Sequence, residues 1–343
     1  MRKTTAAKLV TAAAAAASVV SLAAGPALAD PPSGTTPAAT DIVGVGSDTV
    51  QALFNQFSTD YTATPKLYSW DATGSTPITT KTGATSIARP NGSGAGITAL
   101  GSTTSATVDF ARSSRGPQTG DPTTDDFIAY ARDAVSWAAQ SGGDAPANLT
   151  KADLQNIYSC TYTKWNQITD ISGYTGSANT IKPFLPQSGS GTRSFFLSAA
   201  GITTIGGCVN QTVEENEGTN TLLANADSLV PYSVGHYIGQ VYFGHTTTTT
   251  DAPGALTVRN LDGIVPIDTT NKVISTAYAG SSYARVLYNV VRAGDWTAGN
   301  AHAAALQAIF SSTGWICKNA TAQADLKSYG FLNYGFCGAI SHT

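Results

Sequence analysis

The stretch Ile181-Lys182-Pro183-Phe184-Leu185-Pro186-Gln187-Ser188-Gly189-Ser190-Gly191-Thr192-Arg193-Ser194-Phe195-Phe196-Leu197-Ser198-Ala199-Ala200-Gly201 decides how this chain is read. Ile181 to Leu185 has the content of a short buried strand, Pro186 to Thr192 is a loop of glycines and hydroxyls, and Ser194 to Ala200 is a helix stopped by Gly201. In such a unit the glycines let the backbone approach a ligand and the hydroxyls donate hydrogen bonds. The free N–H groups of the helix's first turn add the positive end of a dipole, which suits an anion. The loop lacks the Gly-Lys-Ser/Thr ending of a nucleotide-phosphate loop. Ser188 and Thr192 stand where a nucleophile elbow around Ser190 needs glycines. In the plainest reading it is a capped helix after a Gly/Ser-rich turn.

Three further loops share its chemistry. Ile42 to Gly46 is an apolar strand running into Ser47-Asp48-Thr49, after which Val50, Leu53, Phe54 and Phe57 recur at helical spacing. Asn91-Gly92-Ser93-Gly94 precedes a short helix carrying Ile97 and Leu100, and the strand Val108 to Ala111 ends in Arg112-Ser113-Ser114-Arg115. In open α/β sheets ligands bind where such loops converge, at the carboxyl ends of strands. Phe127 to Ala139 is apolar enough for a core strand, at the point where the chain crosses to a second lobe. Thr150 to Asp153 forms a near capping box before the buried stripe Leu154, Ile157 and Tyr158. A late strand is expected at Val286 to Val291, a helix at Ala301 to Phe310, and a surface turn at Thr246 to Thr250. Alternating strands and helices indicate an α/β fold with largely parallel sheets.

Residues 1–29 have the layout of a general secretory signal: Arg2, Lys3 and Lys8, then an Ala/Val/Leu stretch, then Ala27-Leu28-Ala29. No cysteine marks the cleavage site for a lipid anchor, so a secreted, extracellular protein is expected. No later stretch is apolar enough for membrane insertion. Residues 30–40 read as a flexible lead-in. The remaining chain is divided into a first lobe at 41–127, a second at 128–239 and a return to the first at 240–343. Setting the three signal cations aside moves the net charge from −3 to −6, so nucleic acid is a poor partner and any anion site must be local.

Cys160, Cys208, Cys317 and Cys337 form an even set in an exported chain, which reads as two disulfides. Cys160 with Cys208 and Cys317 with Cys337 is the favoured pairing, because each bridge then stays in one lobe. No Cys-x-x-Cys occurs and the histidines are scattered, so neither a metal nor another cofactor is expected. Asp121, Asp125 and Asp126 read as turn and helix-start residues, Glu214, Glu215 and Glu217 as a solvated charge run, and His236 as a packed or edge histidine. No nucleophile with a partner base is legible, so no catalytic residue is assigned.

Several of these segments together resemble the phosphate-binding proteins of ABC phosphate importers, in the periplasmic-binding-protein superfamily, type 2. They are Gly44 to Val50, Asn91 to Gly94, Val108 to Ala111, Leu149-Thr150 with Leu154, Ile157, Tyr158 and Trp165-Asn166, Ser188 to Arg193, and Asn216-Glu217-Gly218. The resemblance runs from Ile42 to about Tyr237. It implies a two-lobed clamshell, each lobe a mixed, mostly parallel sheet flanked by helices. It also implies a monomer that is no enzyme, holds inorganic phosphate or a related oxyanion between its lobes, and delivers it to an ABC permease. Carried over residue by residue, the ligand-holding positions are Asp48, Thr49, Ser93, Ser114, Ser190, Gly191 and Thr192. Ser114 stands where the family commonly has an aspartate, and Pro186 where it has an arginine. A serine lacks the repulsion that excludes fully ionised sulfate, and the lost arginine removes a charge-assisted donor. Arg193, Arg112 and Arg115 are the candidates to replace that arginine, with Arg193 ranked first because it adjoins the loop. A secreted hydrolase such as a phosphatase, and a binder of a sugar, peptide or protein on the same fold, are the alternatives.

Overall fold

A computed structural model describes residues 30–31, 34–246 and 250–342. The segment read as an export signal, and the centre of the turn expected at 246–250, lie outside the described residues. The main sheet has eleven strands: β1 (Ile42–Gly46), β2 (Leu67–Ser69), β3 (Phe110–Ser113), β4 (Asp125–Gln140), β5 (Lys182–Pro186), β6 (Asn210–Val213), β7 (Ser228–Ser233), β8 (Leu256–Val258), β9 (Ala284–Arg292), β10 (Leu332–Asn333) and β11 (Ile340–Ser341). Its order is β2-β1-β3-β9-β4-β7-β5-β6, with β8, β10 and β11 also pairing with β4. At one end β1 pairs in parallel with β2 and β3, and at the other β5 pairs in parallel with β6 and β7. The centre, β9 against β3 and β4 and β4 against β7, is antiparallel.

β4 makes the molecule two-lobed. It contains no glycine or proline and all but one of its 16 residues are buried, as expected of a strand covered on both faces. Asp125 to Ala134 pair with β9 in the first lobe, and Val135 to Ala139 pair with β7 in the second. Asp125 and Asp126 therefore begin a strand; the helix start read from the sequence is corrected. Strand alternation builds a core on each face of each half-sheet. Ile42 packs with Phe54, Phe57, Phe110 and Leu306, whereas Val45 packs on the opposite side with Ile97 and Leu100. In the second lobe Leu185 packs with Trp137, Tyr158 and Phe196, and Phe184 with Tyr232 and Leu223. Leu261, Ile274, Tyr278 and Tyr283 belong to the core around Trp137.

The helices that flank the site are α1 (Gln51–Asp60), α2 (Ser93–Ser102), α3 (Lys151–Tyr158), α4 (Gly191–Ala199), α5 (Val234–Phe243) and α6 (Ala301–Phe310). Both halves of the capping box on α3 form: Asp153 N–H donates to Thr150 Oγ1 at 3.1 Å and Thr150 N–H to Asp153 Oδ2 at 2.8 Å. Helix α4 starts three residues before the expected Ser194, because Ser190 caps it and draws Gly191 and Thr192 into the first turn. The disulfides are Cys160–Cys208 and Cys317–Cys337, in the favoured pairing. Among the described residues no helix is long and apolar enough to cross a membrane.

Candidate functional site

The loops that leave β1, β3, β5 and β6 meet between the lobes, with the N-termini of α2 and α4 facing one another. The approach is close enough to need glycine. Gly92 has φ +92° and a Cβ there would lie 2.4 Å from the Gly189 carbonyl oxygen. A Cβ on Gly191 would lie 2.3 and 2.4 Å from the hydroxyls of Ser93 and Ser114. Gly94 N–H donates to Gly189 O across the cleft at 3.0 Å. Ser93 and Ser114 hydroxyls are 3.2 Å apart, Ser114 N–H donates to Ser93 Oγ at 3.0 Å, and Thr49 Oγ1 lies 3.1 Å from Thr192 Oγ1.

At the focus of these groups sits the carboxylate of Glu215, on the segment that leaves β6. Thr49 donates to its Oε1 from the hydroxyl at 2.7 Å and from the backbone at 3.3 Å. Ser190 Oγ and Thr192 N–H donate to its Oε2, the latter at 3.2 Å. Two of these donors belong to the first lobe and two to the first turn of α4. Glu215 is 2% exposed, so its charge is supported by these bonds rather than by water. Burial pushes Glu215 up, but hydrogen bonds from Asp48, Ser190 and Thr49 and the nearby Arg285 outweigh it and hold the carboxyl below its ordinary value of 4.5. Burial also pushes Asp48 up, and there the Glu215 and Glu214 charges reinforce it, so Asp48 stands well above 3.8. The two carboxyls are thus pushed apart, Asp48 holding its proton more tightly than Glu215 does.

A family model for the PBP superfamily domain matches residues 31–308. The chain belongs to the PBP superfamily. Solved structures with this fold include an ABC-type phosphate transport receptor from Vibrio cholerae, with 17% identity over 86% of this chain and 100% of that one and a TM-score of 0.55. Another is a putative phosphate ABC transporter substrate-binding protein with bound phosphate from Clostridium perfringens, with 14% identity, 86% and 99% coverage and a TM-score of 0.58. A phosphate-binding protein from Stenotrophomonas maltophilia gives 13%, 87%, 91% and 0.52. Comparison with curated proteins gives no match.

Within this PBP superfamily chain the structure brings Asp48, Thr49, Ser93, Ser114, Ser190, Gly191 and Thr192 together. Ser190 is both helix cap and site residue: its Oγ accepts from Arg193 N–H at 2.9 Å while donating to Glu215. Arg193 points elsewhere. Its guanidinium donates to Pro186 O at 2.9 Å and to Gln211 Oε1 at 2.5 Å, beside β5 and β6. The cleft's arginine is Arg285, which donates to Thr192 Oγ1 at 2.9 Å and twice to Asp133 Oδ2, at 3.0 and 2.7 Å. Its Nη1 is buried without a hydrogen-bond partner. Arg112 is buried against Ser47 O and Ser69 Oγ, and Arg115 is paired with Asp121.

Glu215, Arg285 and His236 carry more than their sequence reading assigned. Glu215 is no member of a solvated charge run. It lies two residues beyond buried Val213 while Glu214 between them is partly exposed, a strand-like alternation of burial. Arg285 shares the buried phase of β9 with Leu287, one residue before the expected strand start at Val286. His236 joins the lobes, with Nδ1 2.7 Å from Thr49 O and Nε2 2.6 Å from Asp251 Oδ1. Since Thr49 O can only accept, Nδ1 carries a proton.

Proposed function

We propose that this chain is an exported solute-binding protein that closes its lobes over phosphate or a similar tetrahedral oxyanion and offers it to an ABC permease. The observation that carries this reading is the set of four donors, from both lobes, converging on one buried anionic group. Thr49, Ser190 and Thr192 are three of the positions that the resemblance assigns to the ligand, and the site has the helix N-terminus and desolvation that strengthen bonds to an anion. The phosphate-binding names of the structural neighbours support it. Calorimetric titration with phosphate, sulfate, arsenate, molybdate and tungstate tests it: at least one is expected to bind with a Kd below about 1 mM, and no binding at that level by any of them rejects the reading.

A hydrolase reading draws on the contact of Ser190 with Glu215, a hydroxyl beside a carboxylate. A general base works best with a pKa near the working pH, whereas Glu215 is held low by donors that already engage it. Release of phenolate from a chromogenic phosphate ester would favour it; none is expected.

A further inference from the structure

We infer that Glu215 is an internal ligand: its carboxylate stands where the oxyanion belongs and clasps the lobes shut, so a solute binds only by displacing it. The inference rests on the oxyanion reading of the same loops and adds a competitor that the chain itself supplies.

Four observations carry it. The donors that would hold an oxyanion, Thr49 N–H and Oγ1, Ser190 Oγ and Thr192 N–H, are already engaged by Glu215. The space is closed as well. The 3.1 Å contact of Thr49 with Thr192, the 3.2 Å contact of Ser93 with Ser114 and the approach of both serines to Gly191 leave no volume for four more oxygens. A dianion held next to the Glu215 carboxylate would meet like charge in a desolvated site. Finally, Glu215 does what a clamshell ligand does, because it takes hydrogen bonds from Thr49 of one lobe and from Ser190 and Thr192 of the other. Glu214 repeats the link at the rim, accepting from Asn91 Nδ2 at 2.9 Å.

The side chain has somewhere to go. A cleft open to solvent adjoins it, lined by Gln51, Thr73, Asn216 and His236 together with the carboxyls of Asp48, Glu217 and Asp251. The Nδ2 of Asn216, the next residue, is buried without a partner, and Asn216 holds φ +61°, so the segment turns sharply just beyond the carboxylate. A tethered competitor lowers apparent affinity by the fraction of molecules it occupies, so removing it tightens binding without any new contact.

The test compares wild type with Glu215→Ala, which vacates the position, and Glu215→Gln, which keeps the volume and removes the charge. Calorimetry with inorganic phosphate is expected to give at least about tenfold tighter binding for both variants, folded by circular dichroism. Small-angle scattering in anion-free buffer is expected to show wild type already compact and both variants expanded, with phosphate closing the variants again. Wild type binding phosphate as tightly as both variants, or variants as compact as wild type without anion, overturns the inference alone. Failure of all three proteins to bind any tetrahedral oxyanion overturns the oxyanion reading, and displacement with it. Scattering then still decides whether Glu215 holds the lobes together.

Discussion

Two arginines exchange roles between the sequence and the fold. Arg193 adjoins the glycine loop, yet a helical residue points back over the preceding turn, and from the first turn of α4 its side chain reaches Pro186 and Gln211. Arg285 comes from a strand nearly 100 residues later and reaches Thr192, held by the buried Asp133. Arg193→Ala is therefore expected to change oxyanion affinity less than about threefold. Arg285→Met should weaken it at least about tenfold, read by calorimetry. The same change leaves Asp133 buried with only Ser233 Oγ and Gly235 N–H as donors, so it should also cost about 3 kcal/mol in a denaturant melt.

Two helix starts separate capping from binding. Thr150 opens α3 and Ser190 opens α4, each accepting a backbone N–H from the third residue on. Either alanine substitution should cost about 1 kcal/mol of stability. Only Ser190→Ala also removes a donor from the cleft. Thr150→Ala is expected to leave oxyanion affinity unchanged in calorimetry, whereas Ser190→Ala alters it. Equal affinities would reduce Ser188 to Arg193 to a helix cap. Both elements were legible because capping is local chemistry, set by residues three apart. The exact start of α4 was not, since Gly191 and Thr192 suit a loop as well as a first turn until Ser190 caps the helix.

For the whole molecule, stability is expected to depend on protonation of His236, which bridges Thr49 and Asp251. Burial works against its charge, but Asp251, the Thr49 carbonyl and the more distant Asp133 outweigh it and raise the imidazole above 6.5. A raised folded value means the folded protein holds the proton more tightly than the unfolded chain does. The stability this gives is complete below pH 6.5 and is lost as the pH climbs through the raised value. Thermal melts from about pH 5.5 to 9 should therefore show wild type losing stability across that interval relative to His236→Gln, whose profile lacks that slope. Parallel profiles would mean that folding leaves the His236 pKa unshifted, and a wild type that gains stability as the pH rises past 6.5 would mean that His236 is neutral in the folded protein.

Periodicity, capping pairs, turn residues and cysteine count act over short spans of chain, so the α/β class, the four hydroxyl-bearing loops, the long crossing strand and the presence of two disulfides could be read before any fold was known, whereas the sequence alone permits three pairings of the four cysteines. The division of labour among charged groups could not be read. Whether Glu215 faces water or the donors of two lobes depends on how segments far apart in the chain approach, Thr49 being 166 residues away. The energy of a buried carboxylate is set by those neighbours and not by its place in a run of glutamates. The loop from Ser188 to Arg193 announced an anion, and folding supplied one from the chain itself.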